Sequence, residues 1–171
     1  MFSKKISSAL AIGLFLLTML FCVVPSAQAA QGDEAAAINA FKTFVKYAQT
    51  QDGRAWGYFT AQSQNFFAEM SADAFMADAN GQALMQQEGL SRQDLVQLIK
   101  MELAKPNSDM AKACWAEASK YFPTEDVSNV ELTATISGNK AVISNPEGSG
   151  TLTMIKENGQ WKVDALSVMS K

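Results

Sequence analysis

Residues 130–169 read VELTATISGNKAVISNPEGSGTLTMIKENGQWKVDALSVM, and this stretch decides the fold. Val130, Leu132, Ala134 and Ile136 alternate with Glu131, Thr133 and Thr135, which is the period of a half-buried strand. Ser137-Gly138-Asn139-Lys140 turns the chain into a second strand ending at Ser144. A loop over Asn145–Gly150 leads to a third strand over Thr151–Lys156. Asn158-Gly159 is the strongest short hairpin signal, because both central residues of a type I′ turn need positive φ. A fourth strand is predicted over Gln160–Met169, with Trp161, Val163 and Ala165 on one face and Lys162 and Asp164 on the other. Consecutive strands with short connections predict an antiparallel meander over 128–169.

Upstream of this stretch the period changes to that of helices. Over Asp33–Gln49, Ile38, Phe41, Phe44, Val45 and Ala48 recur at spacings of three and four. Asp33 and Glu34 suit the positive end of the helix dipole, and Gln51-Asp52-Gly53 stops the helix. A second helical piece carries Trp56, Tyr58, Phe59, Phe66, Phe67 and Met70. Ser71 to Gly89 predicts helix with a break near Asn80-Gly81. Ser91 followed by Asp94 is close to a capping box and opens a helix bearing Leu95, Leu98, Ile99 and Leu103, which Pro106 ends. Asn107-Ser108-Asp109 starts a further helix that Phe122-Pro123 closes. Helices over 33–122 followed by strands predict an α+β fold, with N-terminal helices packed on a C-terminal curved antiparallel sheet of about four strands. No repeat or linker divides residues 30–171, so they form one domain.

Residues 1–29 read as a secretory signal peptide. Lys4-Lys5 precede the sixteen apolar residues Ala9–Val24, Pro25 breaks the run, and Ala27-Gln28-Ala29 is a small-x-small cleavage site. Sixteen residues are short for a bilayer core, which needs about 20. Export to the periplasm, or beyond it to the extracellular space, is the expectation, with no stable membrane insertion after cleavage. Removing 29 residues from 171 leaves 142, the size of one ordinary domain. Lys4 and Lys5 leave with the leader, so 12 of the 14 basic residues face 17 acidic ones and the net charge becomes −5. Cys22 leaves as well. Cys114, in the run Ala113-Cys114-Trp115-Ala116, then has no partner and is expected to be a buried thiol.

Composition removes several classes of function. The chain has no histidine, so Ser/His and Cys/His catalysis and imidazole metal sites are absent. An acidic domain without grouped Lys and Arg is a poor nucleic-acid binder. The acidic residues are scattered, without the alternating Asp run of calcium loops. Gly148-Ser149-Gly150 lies between strands, so it is no phosphate cradle. No cofactor or metal is expected, and the methionines are spread as core fillers.

The long first helix, Gln51-Asp52-Gly53-Arg54-Ala55-Trp56, and the closing Lys156-Glu157-Asn158-Gly159-Gln160-Trp161-Lys162-Val163-Asp164 pair resemble the nuclear transport factor two-like superfamily. The resemblance covers the first helices and the last forty residues. It implies an antiparallel sheet wrapped around a long helix as a cone with an apolar pocket. The mostly helical stretch between Met70 and Phe122 departs from that pattern. Enzymes of the superfamily pair a carboxylate with His or Tyr donors. Here that leaves Asp52, Asp164 and Tyr47 as acid/base candidates, with Tyr58 and Tyr121 behind them. Asp52 reads better as a turn residue, and Asp164 as solvent-facing. The leading expectation is an exported, non-catalytic domain that binds a small apolar ligand or an envelope protein, with Tyr47, Trp56, Phe59, Trp115 and Trp161 lining the site. The alternatives are an isomerase- or cyclase-type enzyme using Asp and Tyr, and a structural interaction module.

Overall fold

In the computed structural model, residues 31–122, 126–147 and 150–169 are described. The expected leader over 1–29, with Cys22, lies outside them, as does the side chain of Tyr121.

Helix α1 (Gln31–Gln49) carries Asp33 and Glu34 in its first turn and Lys46 in its last, the charge order that suits the helix dipole. Ala37, Phe41, Phe44, Val45 and Ala48 are its buried face, and α1 lies against strands β1 (Thr133–Ser137), β2 (Lys140–Ser144) and β4 (Gln160–Val163). Gln51 takes a left-handed φ of 57° to end the helix. Asp52 then caps a 3₁₀ turn over Gly53–Tyr58 by accepting from Arg54 N–H. Gly53 is required there by close approach, because a Cβ would lie 2.5 Å from the Pro106 carbonyl oxygen.

Helix α2 (Ala61–Met76) starts at a Thr60 cap that accepts from Ser63 N–H. The break expected near Asn80-Gly81 falls instead at Ala77-Asp78. The Asp78 carboxylate accepts from the N–H groups of Asn80 and Gly81, which makes those residues the first turn of α3 (Ala79–Glu88). Ser91 and Asp94 form the full capping box of α4 (Arg92–Leu103). That helix stops at Ala104, ahead of Pro106. Ser108 caps α5 (Asp109–Ala118), and a short 3₁₀ segment follows over Ser119–Tyr121.

The sheet is an antiparallel meander in the order β1-β2-β3-β4, with β3 spanning Thr151–Glu157. Asn158 and Gly159 have φ of 50° and 78°, the type I′ geometry expected of that pair. In the β1–β2 turn only Gly138 takes positive φ, 61°, the type II′ alternative. Two expected boundaries move. The first strand begins at Thr133 rather than Val130, because Val127–Asn129 is a 3₁₀ turn capped by Asp126. The fourth strand ends at Val163 rather than Met169. Asp164 N–H still donates to the Thr153 carbonyl at 2.9 Å, Ala165 N–H on the outer edge donates to Ser63 Oγ at 3.0 Å, and Leu166–Met169 is helical (α6).

Register places Ala134, Ile143 and Leu152 in one rung, and Ile136, Ala141, Met154 and Val163 in the next. These side chains make the inner face of the sheet, and nearly all are buried. The helical half closes over an aromatic cluster. Phe44 meets Phe59, Trp115 and Phe122 edge-on at 5.2, 6.4 and 5.8 Å, while Phe59 stacks on Trp115 at 6.3 Å and 14°. Edge-on and offset arrangements suit the ring quadrupoles. Fully burying a side chain of this kind stabilises by about 1.5–3 kcal/mol, and truncating a buried Phe or Trp to Ala costs about 3–5 kcal/mol.

Candidate functional site

Two open grooves flank the 3₁₀ turn Gly53–Tyr58 and meet at Gly57. The first lies between α1 and the β3–β4 hairpin. It has a volume of about 530 Å³, and Asn39, Thr43, Tyr58, Gln160, Trp161 and Lys162 are among its walls. The second lies between the turn, α2 and α4, at about 540 Å³, with Arg54, Trp56, Gln64, Lys100, Met101 and Pro106. No carboxylate lines either groove, whereas Lys162, Arg54 and Lys100 do. The charged side chains lining this trough are therefore Lys162, Lys100 and Arg54, the last of them paired with Asp52.

Local folding fixes the groups around the first groove. The type I′ turn aims β4 so that Trp161 enters from the inner face of the sheet and Lys162 from the outer. Lys162 Nζ donates to the Gly57 carbonyl and sits 5.8 Å from the Tyr58 ring. Tyr58 lies 5.8 Å from Tyr47, and the Arg54 guanidinium covers Tyr47 at 4.4 Å. The result is a ladder, Lys162–Tyr58–Tyr47–Arg54, of two rings with a cation at each end, each cation–ring contact worth about 0.5–1 kcal/mol at an exposed site. Partial burial pushes the Tyr58 phenol above its ordinary pKa. Trp161 is 4% exposed, and its indole N–H has no acceptor among the described residues. Lys156 closes the hairpin end, paired with Asp33 at 2.6 Å and lying 5.5 Å from the Trp161 ring.

The acid/base candidates do not converge. Asp52 is committed to Arg54, whose Nε and Nη2 donate to it at 2.9 and 2.5 Å, and those bonds hold its carboxyl below the usual range. A general base working near neutral pH needs the opposite shift. Asp164 directly follows β4, on the strand face opposite Trp161 and Val163. Its backbone N–H donates to Thr153 and its carbonyl accepts from Ser167. Asp52, Asp164 and Tyr47 line none of the described grooves.

The five residues expected to line a ligand site divide. Phe59 and Trp115 are at the centre of the core, 1% and 0% exposed. Trp56 and Trp161 are buried against the core but reach the walls of the second and first groove. Tyr47 stays half-buried beside the trough. Sequence reasoning missed Lys162, Arg54, Lys100 and Gln64. Lys162 was legible as the outward residue of a strand, but nothing in the spacing ties Arg54 or Lys100 to it. Cys114 is fully buried, and burial pushes its thiol far above the ordinary cysteine value. Comparison with family models, with curated proteins and with solved structures gave no match.

Proposed function

We propose that this chain is an exported, non-catalytic binding module that takes an apolar ligand carrying a carboxylate or carbonyl, free or displayed on an envelope protein, in the groove between α1 and the β3–β4 hairpin. The observation that carries the reading is a groove lined by both Lys162 and Trp161, a residue whose buried indole N–H has no acceptor among the described residues. A buried donor left unpaired costs about 1–3 kcal/mol, which a ligand acceptor would recover. The Tyr58 ring and the methylenes of Lys162 supply apolar contact, and the ammonium supplies charge. The leader-like residues 1–29 support export, and the long helix against a meander supports the cone-fold resemblance.

Titration of the exported chain with decanoate, followed by tryptophan fluorescence, tests this. Saturable binding is expected, weakened about tenfold by Lys162→Ala, with decylamine giving none. Equal binding of decylamine, or binding unchanged in Lys162→Ala, refutes the reading.

A further inference from the structure

The two long edges of the sheet are finished differently. On β4, the outward carbonyl of Val163 accepts from Thr60 N–H at 3.0 Å, and Phe59 bridges to the strand. On β1, the two-residue turn makes Ser137 and Lys140 a hydrogen-bonded pair, so Thr133, Thr135 and Ser137 direct their N–H and C=O groups to β2. The N–H and C=O groups of Ala134 and Ile136 point away from the sheet, and no described residue pairs with them. Exposed edges are usually guarded by Lys, Pro or a bulge. Thr133–Ser137 reads TATIS and has none of these.

We propose that β1 pairs antiparallel with β1 of a second copy of this chain, about a two-fold axis at Thr135. In this register Ala134 exchanges hydrogen bonds with the partner's Ile136, and Ile136 with the partner's Ala134, which satisfies every outward group of the strand's interior. Thr135 meets the partner's Thr135 and Thr133 meets the partner's Ser137, pairs of hydroxyl side chains that are favourable on one sheet face. Charge selects a second copy in this orientation. Glu131 comes opposite the partner's Asn139, beside the partner's Lys140. Glu131 and Lys140 are both exposed, and neither has an ion-pair partner among the described residues. Parallel pairing would bring like charges together at both ends. Five residues of edge cover far less than the ~1,600 Å² of a standard interface, so the dimer is weak.

Cross-linking captures such a dimer. Directly opposed residues that do not share hydrogen bonds sit within disulfide reach, and Cys114 is buried, so only an introduced thiol reacts. Thr135→Cys and Thr133→Cys are compared in the exported chain with copper phenanthroline, which removes two electrons from each pair of thiols while their two protons pass to solvent. Circular dichroism confirms that both variants fold. Thr135→Cys is expected to give a disulfide dimer about tenfold faster than Thr133→Cys, whose thiol faces the partner's Ser137. Glu131→Lys should slow the reaction, and adding Lys140→Glu should restore it. Equal rates for the two cysteine variants, or no dimer from folded Thr135→Cys, overturns the proposal.

Discussion

Phe59 and Trp115 stack at the centre of the fold, while Tyr47 and Tyr58 sit at its rim between Arg54 and Lys162. Both are pairs of touching rings, yet they do different work. The inner pair excludes water and fixes how the 3₁₀ turn and α5 meet. The outer pair leaves ring edges, a phenol and cations at a groove. Trp161 stands between the two, buried against the core yet lining a groove. An orphan indole N–H does not distinguish the populations, since Trp115 also has one. What distinguishes them is whether a groove reaches the residue. Trp115 lines none of the described grooves, and its N–H is a cost the core carries.

The sharpest way to break this division is at its centre. Trp115→Ala should cost about 3–5 kcal/mol in denaturant melts, because a fully buried large ring leaves a cavity. A loss below about 1 kcal/mol would mean that the inner pair is not structural. Trp161→Ala should cost less, about 2–4 kcal/mol, since Trp161 lines a groove open to water and its loss leaves a smaller closed cavity. A loss as large as that of Trp115→Ala would place Trp161 with the inner pair. Asp52→Ala should cost about 1 kcal/mol, the worth of a helix cap, since the Arg54 pair itself is solvent-exposed. Tyr58→Phe should change stability by no more than about 1 kcal/mol, and its effect should appear in ligand affinity.

Titration gives a further test. The carboxyls of Asp52, Asp73, Asp94 and Asp126 are held below their ordinary value by hydrogen bonds from Arg54, Arg92, Ser91 and Ser128 respectively. A lowered folded-state pKa gives stability that is complete above the unfolded value, about 3.9, and lost as the pH falls through the folded one. The chain has no histidine, so stability should stay level between about pH 5.5 and 8 and fall below about pH 4. A step near pH 6.5 in thermal melts would contradict this account.

The sheet was legible because its signals are local. Alternation fixes each strand's inner face, and Asn158-Gly159 fixes one turn type without reference to anything distant. The end of β4 was not legible. Ala165 continues the alternation of Trp161 and Val163, yet the chain turns helical at Leu166, and the outer-edge N–H of Ala165 is held by Ser63, about a hundred residues earlier. The break between α2 and α3 was displaced for a related reason. Gly81 reads as a helix breaker, but Asp78 caps the helix just ahead of it, and a Cβ at Gly81 would lie 2.0 Å from the Phe75 carbonyl oxygen. Within the candidate site, aromatic residues could be chosen from the sequence but not sorted, since burial is a property of the assembled helices. The cations were invisible as a group because Arg54, Lys100 and Lys162 are brought to one trough by three separate elements.

The central claim is that Trp161, and not the inner tryptophan, meets the ligand. The three tryptophans of the chain give three indole N–H signals in a nitrogen–proton correlation spectrum, assigned by replacing each with Phe. On titration with decanoate the Trp161 indole signal should move downfield as its N–H acquires an acceptor, while the Trp115 signal stays in place. Movement of Trp115 with Trp161 unmoved, or no movement of Trp161 at saturating decanoate, would contradict the account.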